Sequence, residues 1–368
     1  MALTSRQRLV VKVGTAILSR AEGGLNRARL RQMAEELSGL QKKNFAPLLV
    51  TSGAIGAGMD AFGWRVRPTA LRDKQAAAAV GQVALMEAYK AAFAEFGVPV
   101  AQILLTRSDL EDRERYLNIR HTLTALLERG VLPVLNENDT VATDEIKFGD
   151  NDSLSALVAA KMDAGHLFIL TDVDGLLTST GAEGQLLPEV FQITPDIEAL
   201  VRAGTGSSKS VGGMASKLSA ARLAMASGVE VWIASGRKPG IVRDILEGHG
   251  RGTRFAPQEE ALSARKRWIA FGRRVKGALH VDAGAAQAVV DGKRSLLPAG
   301  IARVEGAFSA GDTVKILNAA GREIARGLAA HGSGDLQKIK GRRSSEIESV
   351  LGHPAPAEVV HRDNLIVL

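Results

Sequence analysis

Four clusters of polar and glycine residues have the types and spacing needed to handle a phosphoryl group. The first is Lys12-Val13-Gly14-Thr15, where a lysine interrupts the apolar run Leu9–Val13. Burying a lysine is costly without an anionic partner. Beside a glycine turn it is placed to meet a phosphate; the plainer alternative is a stem that snorkels to the surface. The second cluster is Thr51–Gly58 (TSGAIGAG). Its glycines let backbone N–H groups approach an anion, and a following helix N-terminus favours negative charge. Their positions, 53, 56 and 58, fit neither a P-loop nor the dinucleotide fingerprint, and a simple tight turn is the alternative.

The third cluster is Asn136–Asp139 (NEND), followed by Lys147–Asp152 (KFGDND). Carboxylates and amides this dense can grip an ammonium group, orient a lysine or assist a metal ion. The fourth joins Thr171–Asp174 (TDVD) to Val211–Lys217 (VGGMASK). Asp172 after a strand suits a nucleotide contact. Gly212-Gly213 opening a helix that carries Lys217 suits β- and γ-phosphates, held by amides and a point charge. Taken singly, these are also what a helix cap and an exposed lysine look like.

Together the clusters point to phosphoryl transfer. That chemistry needs charge neutralisation and in-line placement more than covalent help. Two lysines, glycine amides and Mg²⁺ supply it. A carboxylate acceptor is already ionised at neutral pH and needs no general base, and no histidine occurs in the clusters.

The elements that must carry these residues follow from periodicity. Strands are predicted at Leu9–Val13, Pro47–Val50, Val98–Leu105, Val131–Leu135, His166–Leu170 and Glu230–Ala234. Helices are predicted at Arg27–Gln41, Lys74–Phe96, Leu117–Glu128, Asp152–Met162 and Gly213–Ser227. Alternation of this kind predicts one α/β domain, a mostly parallel sheet covered on both faces, complete by about Ala234. The clusters lie just past predicted strand ends, the edge where open α/β sheets bind ligands. The predicted division is 1–257 for this domain, 258–275 for a polar, Arg-rich linker and 276–368 for a small β-rich, barrel-like domain with closely spaced turns.

Composition narrows the class. At 368 residues, 45% hydrophobic and 24% charged, the chain has the material of a soluble two-domain protein. It has no cysteine, which removes disulfides, thiolate catalysis and Cys-based zinc sites. No apolar run is long enough to span a membrane and no signal-peptide h-region opens the sequence, so a cytoplasmic enzyme is expected. The net charge of +7 falls wholly in the tail. Residues 1–260 hold 30 Lys/Arg against 30 Asp/Glu, and residues 261–368 hold 17 against 10. A basic module attracts nucleic acid or other anions; a solvated basic surface is the alternative.

KVGT, VTSGAIGAG, LLTRSDLEDRERYLN, VLPVLNENDTVATDEIKFGDNDSLSALVA, LTDVDGL and GGMASKLSAA resemble the glutamate 5-kinase family of the amino acid kinase superfamily, over Leu9 to Asp363. The tail, with SLLPAG, GDTVKI and VVHRDN, resembles a PUA domain. The resemblance implies a three-layer α/β/α sandwich around a mainly parallel sheet, ATP as donor, Mg²⁺ as cofactor, glutamate as acceptor, proline as feedback inhibitor at an overlapping site, and a homo-oligomer, dimer or tetramer. It implies that Lys12 contacts ATP and that Ser52, Asp139 and Asn151 hold glutamate. Thr171 and Asp172 would line the nucleotide site. Val211, Gly212, Gly213, Met214, Ala215, Ser216 and Lys217 would wrap the phosphates, with Lys217 stabilising the transition state and Asp150 holding the two lysines. The family pattern Gly-Thr-Gly-Gly-Met is here Ser210-Val211-Gly212-Gly213-Met214. A hydroxyl contact is lost at Val211 while its amide remains.

Three other readings stand beside this one. A superfamily member acting on carbamate, aspartate, N-acetylglutamate or a nucleoside monophosphate is disfavoured by the NEND and GDND segments. An RNA-binding or RNA-modifying protein is supported by the basic tail and disfavoured by its lack of an aromatic cluster for base stacking. A catalytically dead regulatory subunit is disfavoured by Lys12, Asp150, Asp172 and Lys217.

Overall fold

The apolar run around Leu9–Val13 forms strand β1 (Gln7–Val13) near the middle of an eight-stranded sheet. The computed structural model describes residues 7–20, 23–141, 151–178, 184–203, 211–258 and 275–367. The chain divides into two units, Met1–Ala261 and Leu262–Leu368; the segment predicted as a linker lies almost wholly outside the described residues.

In the first unit β1 is joined by β2 (Phe45–Thr51), β3 (Val100–Leu105), β4 (Leu132–Glu137), β5 (His166–Thr171), β6 (Glu189–Val190), β7 (Glu230–Ser235) and β8 (Thr253–Phe255). The order across the sheet is β3-β4-β2-β1-β5-β7-β8-β6. All pairings are parallel except β7 with β8. Helices cover both faces, so β1, β2, β4 and β5 read as unbroken buried runs, as a two-sided parallel sheet requires. Strand β8 corrects the expectation that the sheet ends near Ala234. Its three residues are too few for a periodic signal, yet its antiparallel bonds to β7 extend the sheet.

The chain runs outward from β1 to β2, β3 and β4, then returns across the sheet to β5 on the other side of β1. Such a reversal opens a crevice at the carboxyl ends of the strands. The return is made by the helix Asn151–Lys161. One row crosses the sheet there. Lys12 pairs with Val50 and Ile169, and Val50 with Leu135, so the ends of four strands lie level.

Two glycines set the packing above that edge. The helices Ala54–Ala61 and Leu71–Ala94 cross so closely that a Cβ on Gly81 would stand 1.8 Å from the Ala54 carbonyl oxygen. A Cβ on Gly58 would stand 1.8 Å from that of Ala77. Any side chain at either position would push the helices apart.

The second unit is a five-stranded sheet of β9 (Val275–Val281), β10 (Ile301–Glu305), β11 (Thr313–Leu317), β12 (Glu323–Leu328) and β13 (Leu365–Val367), ordered β10-β9-β11-β12-β13. It has its own core, including Leu279, Val314, Ile316, Leu336 and Val360. Among the described residues the sheet does not close into a barrel.

Candidate functional site

At the first turn of the helix Asn151–Lys161, two consecutive side chains reach opposite ways. Asp152 receives Lys12 from β1 and Lys217 from the helix Val211–Ala226: Lys12 Nζ lies 2.6 Å from Oδ1 and Lys217 Nζ 3.3 Å from Oδ2. Ser216 Oγ donates to Oδ2 at 2.7 Å, and Lys217 Nζ donates to the Gly213 carbonyl at 2.9 Å. Lys12 and Lys217 are only 6% and 8% exposed, and buried cations need a counter-charge. Burial opposes ionisation of Asp152, but Lys12 and Lys217, with hydrogen bonds from Lys12 and Ser216, outweigh it and hold the carboxyl below its ordinary range.

Asn151 turns to the other half of the crevice. Its Nδ2 donates to Ser52 Oγ at 3.0 Å and to Asn136 Oδ1 at 3.2 Å. Ser52 is presented by β2 through Gly53, whose φ of 102° caps the helix Ala54–Ala61. Such a φ strains any residue with a Cβ. The strand predicted to end at Leu135 continues through Asn136 and Glu137. Both residues lie within β4 and are buried, because pairing with β3 continues to Leu105 and Glu137. Asp139 follows in a 3₁₀ turn, Asp139–Val141. Burial raises its carboxyl above the ordinary range, and Arg67 opposes that rise. A cavity of about 250 Å³ is lined by Gln82, Glu137, Asn138 and Asp139 among others.

Thr171 ends β5, its Oγ1 donating to Asp172 Oδ1 at 3.2 Å, with Asp172 exposed. Val211, Gly212 and Gly213 open the helix Val211–Ala226, with Met214 half-buried and Ala215 exposed. Asp150 lies outside the described residues; the carboxylate that joins the two lysines is Asp152. Sequence reasoning named the GDND segment but not this residue, because spacing alone does not say which of two near-adjacent aspartates faces the lysines. It also left Asn136 and Gln82 without roles. Asn136 carried a signal, an amide at the end of an apolar strand. Gln82 carried none, being one polar residue in an alanine-rich helix.

Arranged this way, the crevice has a cationic half, Lys12 and Lys217 on a shared carboxylate, and an amide-and-hydroxyl half, Ser52, Asn136 and Asn151. Among the described residues there is no cluster of three or more His, Asp or Glu that could cage a metal ion. A donor set of this kind fits Mg²⁺ held chiefly by nucleotide phosphate oxygens and water.

Residues 7–235 match the amino acid kinase family and residues 277–351 the PUA domain; the chain belongs to the amino acid kinase family. Along its whole length it is similar to glutamate 5-kinases. It is 51% identical over 371 residues to that of Moorella thermoacetica, covering 100% of this chain and 98% of the relative. It is 48% identical over 370 residues to that of Myxococcus xanthus, with the same coverage. Within the wider family the chain is therefore one of the glutamate 5-kinases. Among solved structures, carbamate kinase from Giardia lamblia bound to AMP-PNP covers 70% of this chain and 100% of its own, with a TM-score of 0.51 at 19% identity. That likeness concerns the fold alone.

Proposed function

We propose that the crevice transfers the γ-phosphoryl group of ATP to the side-chain carboxylate of L-glutamate, giving L-glutamyl 5-phosphate and ADP, the first step of proline biosynthesis. The observation that carries the reading is the pair of buried lysines meeting one carboxylate, 2.6 and 3.3 Å away, one residue along the chain from the amide that binds Ser52. A phosphoryl group in transit spreads negative charge over its oxygens. Lys12 and Lys217 neutralise that charge from two elements, and Asp152 keeps them converging. Amides at the start of the helix Val211–Ala226 add positive potential at the phosphates. Thr171 and Asp172 stand on the nucleotide side of β5.

Ser52, Asn151 and Asp139 hold glutamate. The acceptor carboxylate attacks without losing a proton, so the protein's task is to align it. Mg²⁺, bound with the nucleotide, supplies further neutralisation of phosphate charge.

The same reading takes proline as an inhibitor competing for the glutamate side, a homo-oligomeric assembly and a cytoplasmic location. It is supported by the full-length likeness to glutamate 5-kinases and, for location, by the lack among described residues of a helix long and apolar enough to cross a membrane. The basic PUA domain is read as a module for regulation or assembly, with RNA as its candidate ligand. The test is ADP release with glutamate, aspartate or N-acetylglutamate as acceptor, with the acyl phosphate trapped by hydroxylamine. Turnover on aspartate with none on glutamate would overturn the reading.

A further inference from the structure

Hydrogen-bond directions in the amide half follow from one backbone group. The N–H of Glu137 donates to the Asn136 side chain at 2.9 Å, which makes the receiving atom Oδ1. A backbone N–H cannot accept, so this orientation is independent of how the amide is drawn. Asn136 Nδ2 then faces Gln82 at 2.8 Å, and the Gln82 atom there must be the acceptor, Oε1. On its other side, Asn136 Oδ1 takes Nδ2 of Asn151 at 3.2 Å, which leaves Asn151 Oδ1 buried with no hydrogen-bond partner among the described residues. Asn151 Nδ2 also occupies the Ser52 oxygen, so the Ser52 hydroxyl proton points elsewhere. The relay therefore presents one donor, the Ser52 O–H, and one acceptor, Asn151 Oδ1. These are the complements of a carboxylate and an ammonium group.

We infer that Gln82 is a positioning residue for the acceptor amino acid, acting through Asn136 to fix the amide of Asn151. Gln82 is 8% exposed, and its Nε2 has no hydrogen-bond partner among the described residues. Its Oε1 is the member that holds the far end of the relay. Its place is fixed by its neighbour Gly81, whose contact with Ala54 presses the helix Leu71–Ala94 against the element that follows Ser52. Without the acceptor at Gln82, Asn136 Nδ2 is buried and unpaired. Rotation of that amide to find a partner disturbs Asn151, while Lys12, Asp152 and Lys217 on the other face are untouched.

This inference rests on the assignment of glutamate to the Ser52–Asn151 side, and the test separates the two. In the full-length protein, Gln82→Met keeps the length and removes the acceptor. KM for glutamate should rise roughly five- to tenfold, the scale of one lost buried hydrogen bond, with kcat and KM for ATP within about twofold. In an Asn151→Ala background the same substitution should add little, since residues acting as one unit are not additive. Gln82→Glu retains an acceptor oxygen and should recover most of the loss; it also serves if the Met variant does not fold. An unchanged KM for glutamate in Gln82→Met, an equal rise in both KM values, or full additivity with Asn151→Ala would overturn the inference alone. A wild-type protein with no turnover on glutamate would overturn the function as well.

Discussion

Lys12 and Lys217, 205 positions apart in the chain, bind the two oxygens of one carboxylate, Asp152, at 2.6 and 3.3 Å. Asp152→Asn would leave both ammonium groups buried around a neutral amide. Breaking a buried ion cluster from one side costs about 3–5 kcal/mol. ATP brings the missing negative charge, so it should raise the Tm of the variant more than that of the wild type. Thermal melts with and without ATP measure this, and equal shifts would count against charge compensation at the site.

Lys217→Ala should lower kcat far more than it raises KM for glutamate, because a charge acting on the transferring group is felt mainly in the transition state. The loss should be about 10²-fold or more by comparison with other electrostatic deletions. A change in kcat below about threefold would make Lys217 a structural partner of Asp152 only. Steady-state kinetics with both substrates varied decide it.

Asp139 and Asn151 should be separable from the nucleotide side. Each change to alanine should raise KM for glutamate by roughly 5- to 150-fold, equivalent to about 1–3 kcal/mol, with KM for ATP nearly unchanged. Asp139 carries a second signature. Burial raises its carboxyl, so its charged form destabilises the fold at neutral pH. Asp139→Asn should therefore raise Tm at pH 7 while weakening glutamate binding. The gain should vanish as pH falls below the ordinary carboxylate range, where the wild-type group is protonated in both states.

Much of this architecture was legible because parallel strands buried on both faces are long apolar runs. Lys12 broke such a run visibly, and the glycine clusters marked the loops. What stayed hidden depends on three-dimensional closure. The strand Thr253–Phe255 is recruited by β7 rather than by its own pattern. Asn136 and Glu137 look like loop residues and become strand because β3 pairs with them. Gln82 acquires meaning only once Gly81 brings its helix against Ala54.

Glu230, at the start of β7, supplies a pH-dependent contribution away from the crevice. The neighbouring His166, its Nδ1 3.3 Å from Oε1, is the largest influence; burial opposes it, and hydrogen bonds from Trp232 and Arg254 add to it, leaving the carboxyl at about 2 against an ordinary 4.5. A depressed folded-state value means the stabilisation is complete above pH 4.5 and is lost as pH falls from there toward 2. Glu230→Gln should lower stability at pH 7 by about 1.5–3 kcal/mol, the range for hydrogen bonds to a charged group. The gap to wild type should narrow on acidification below pH 4.5. Denaturant melts at several pH values check both, and a constant gap would show that the carboxylate's charge is not the source.

The last prediction concerns the division of the chain. A chain truncated after Ala261 should fold and phosphorylate glutamate, since among the described residues the groups that bind Asp152 and Asn151, Lys12, Ser52, Asn136, Ser216 and Lys217, all precede residue 218, and residues 1–260 carry balanced charge. Cutting at Pro257 is less favourable, because the Gln258 N–H donates to the Met225 carbonyl and helps seat the end of β8. The isolated tail has its own core, from Leu279 to Leu365, and should fold separately. Its excess of Lys and Arg predicts that any RNA affinity falls steeply with salt, since counterion release governs phosphate binding. Activity and proline inhibition of residues 1–261, beside a salt titration of RNA binding by residues 262–368, measure both halves. An insoluble or inactive 1–261 chain would show that the two units depend on one another to fold. RNA binding that ignores salt would show that the basic charge is not what recruits the ligand.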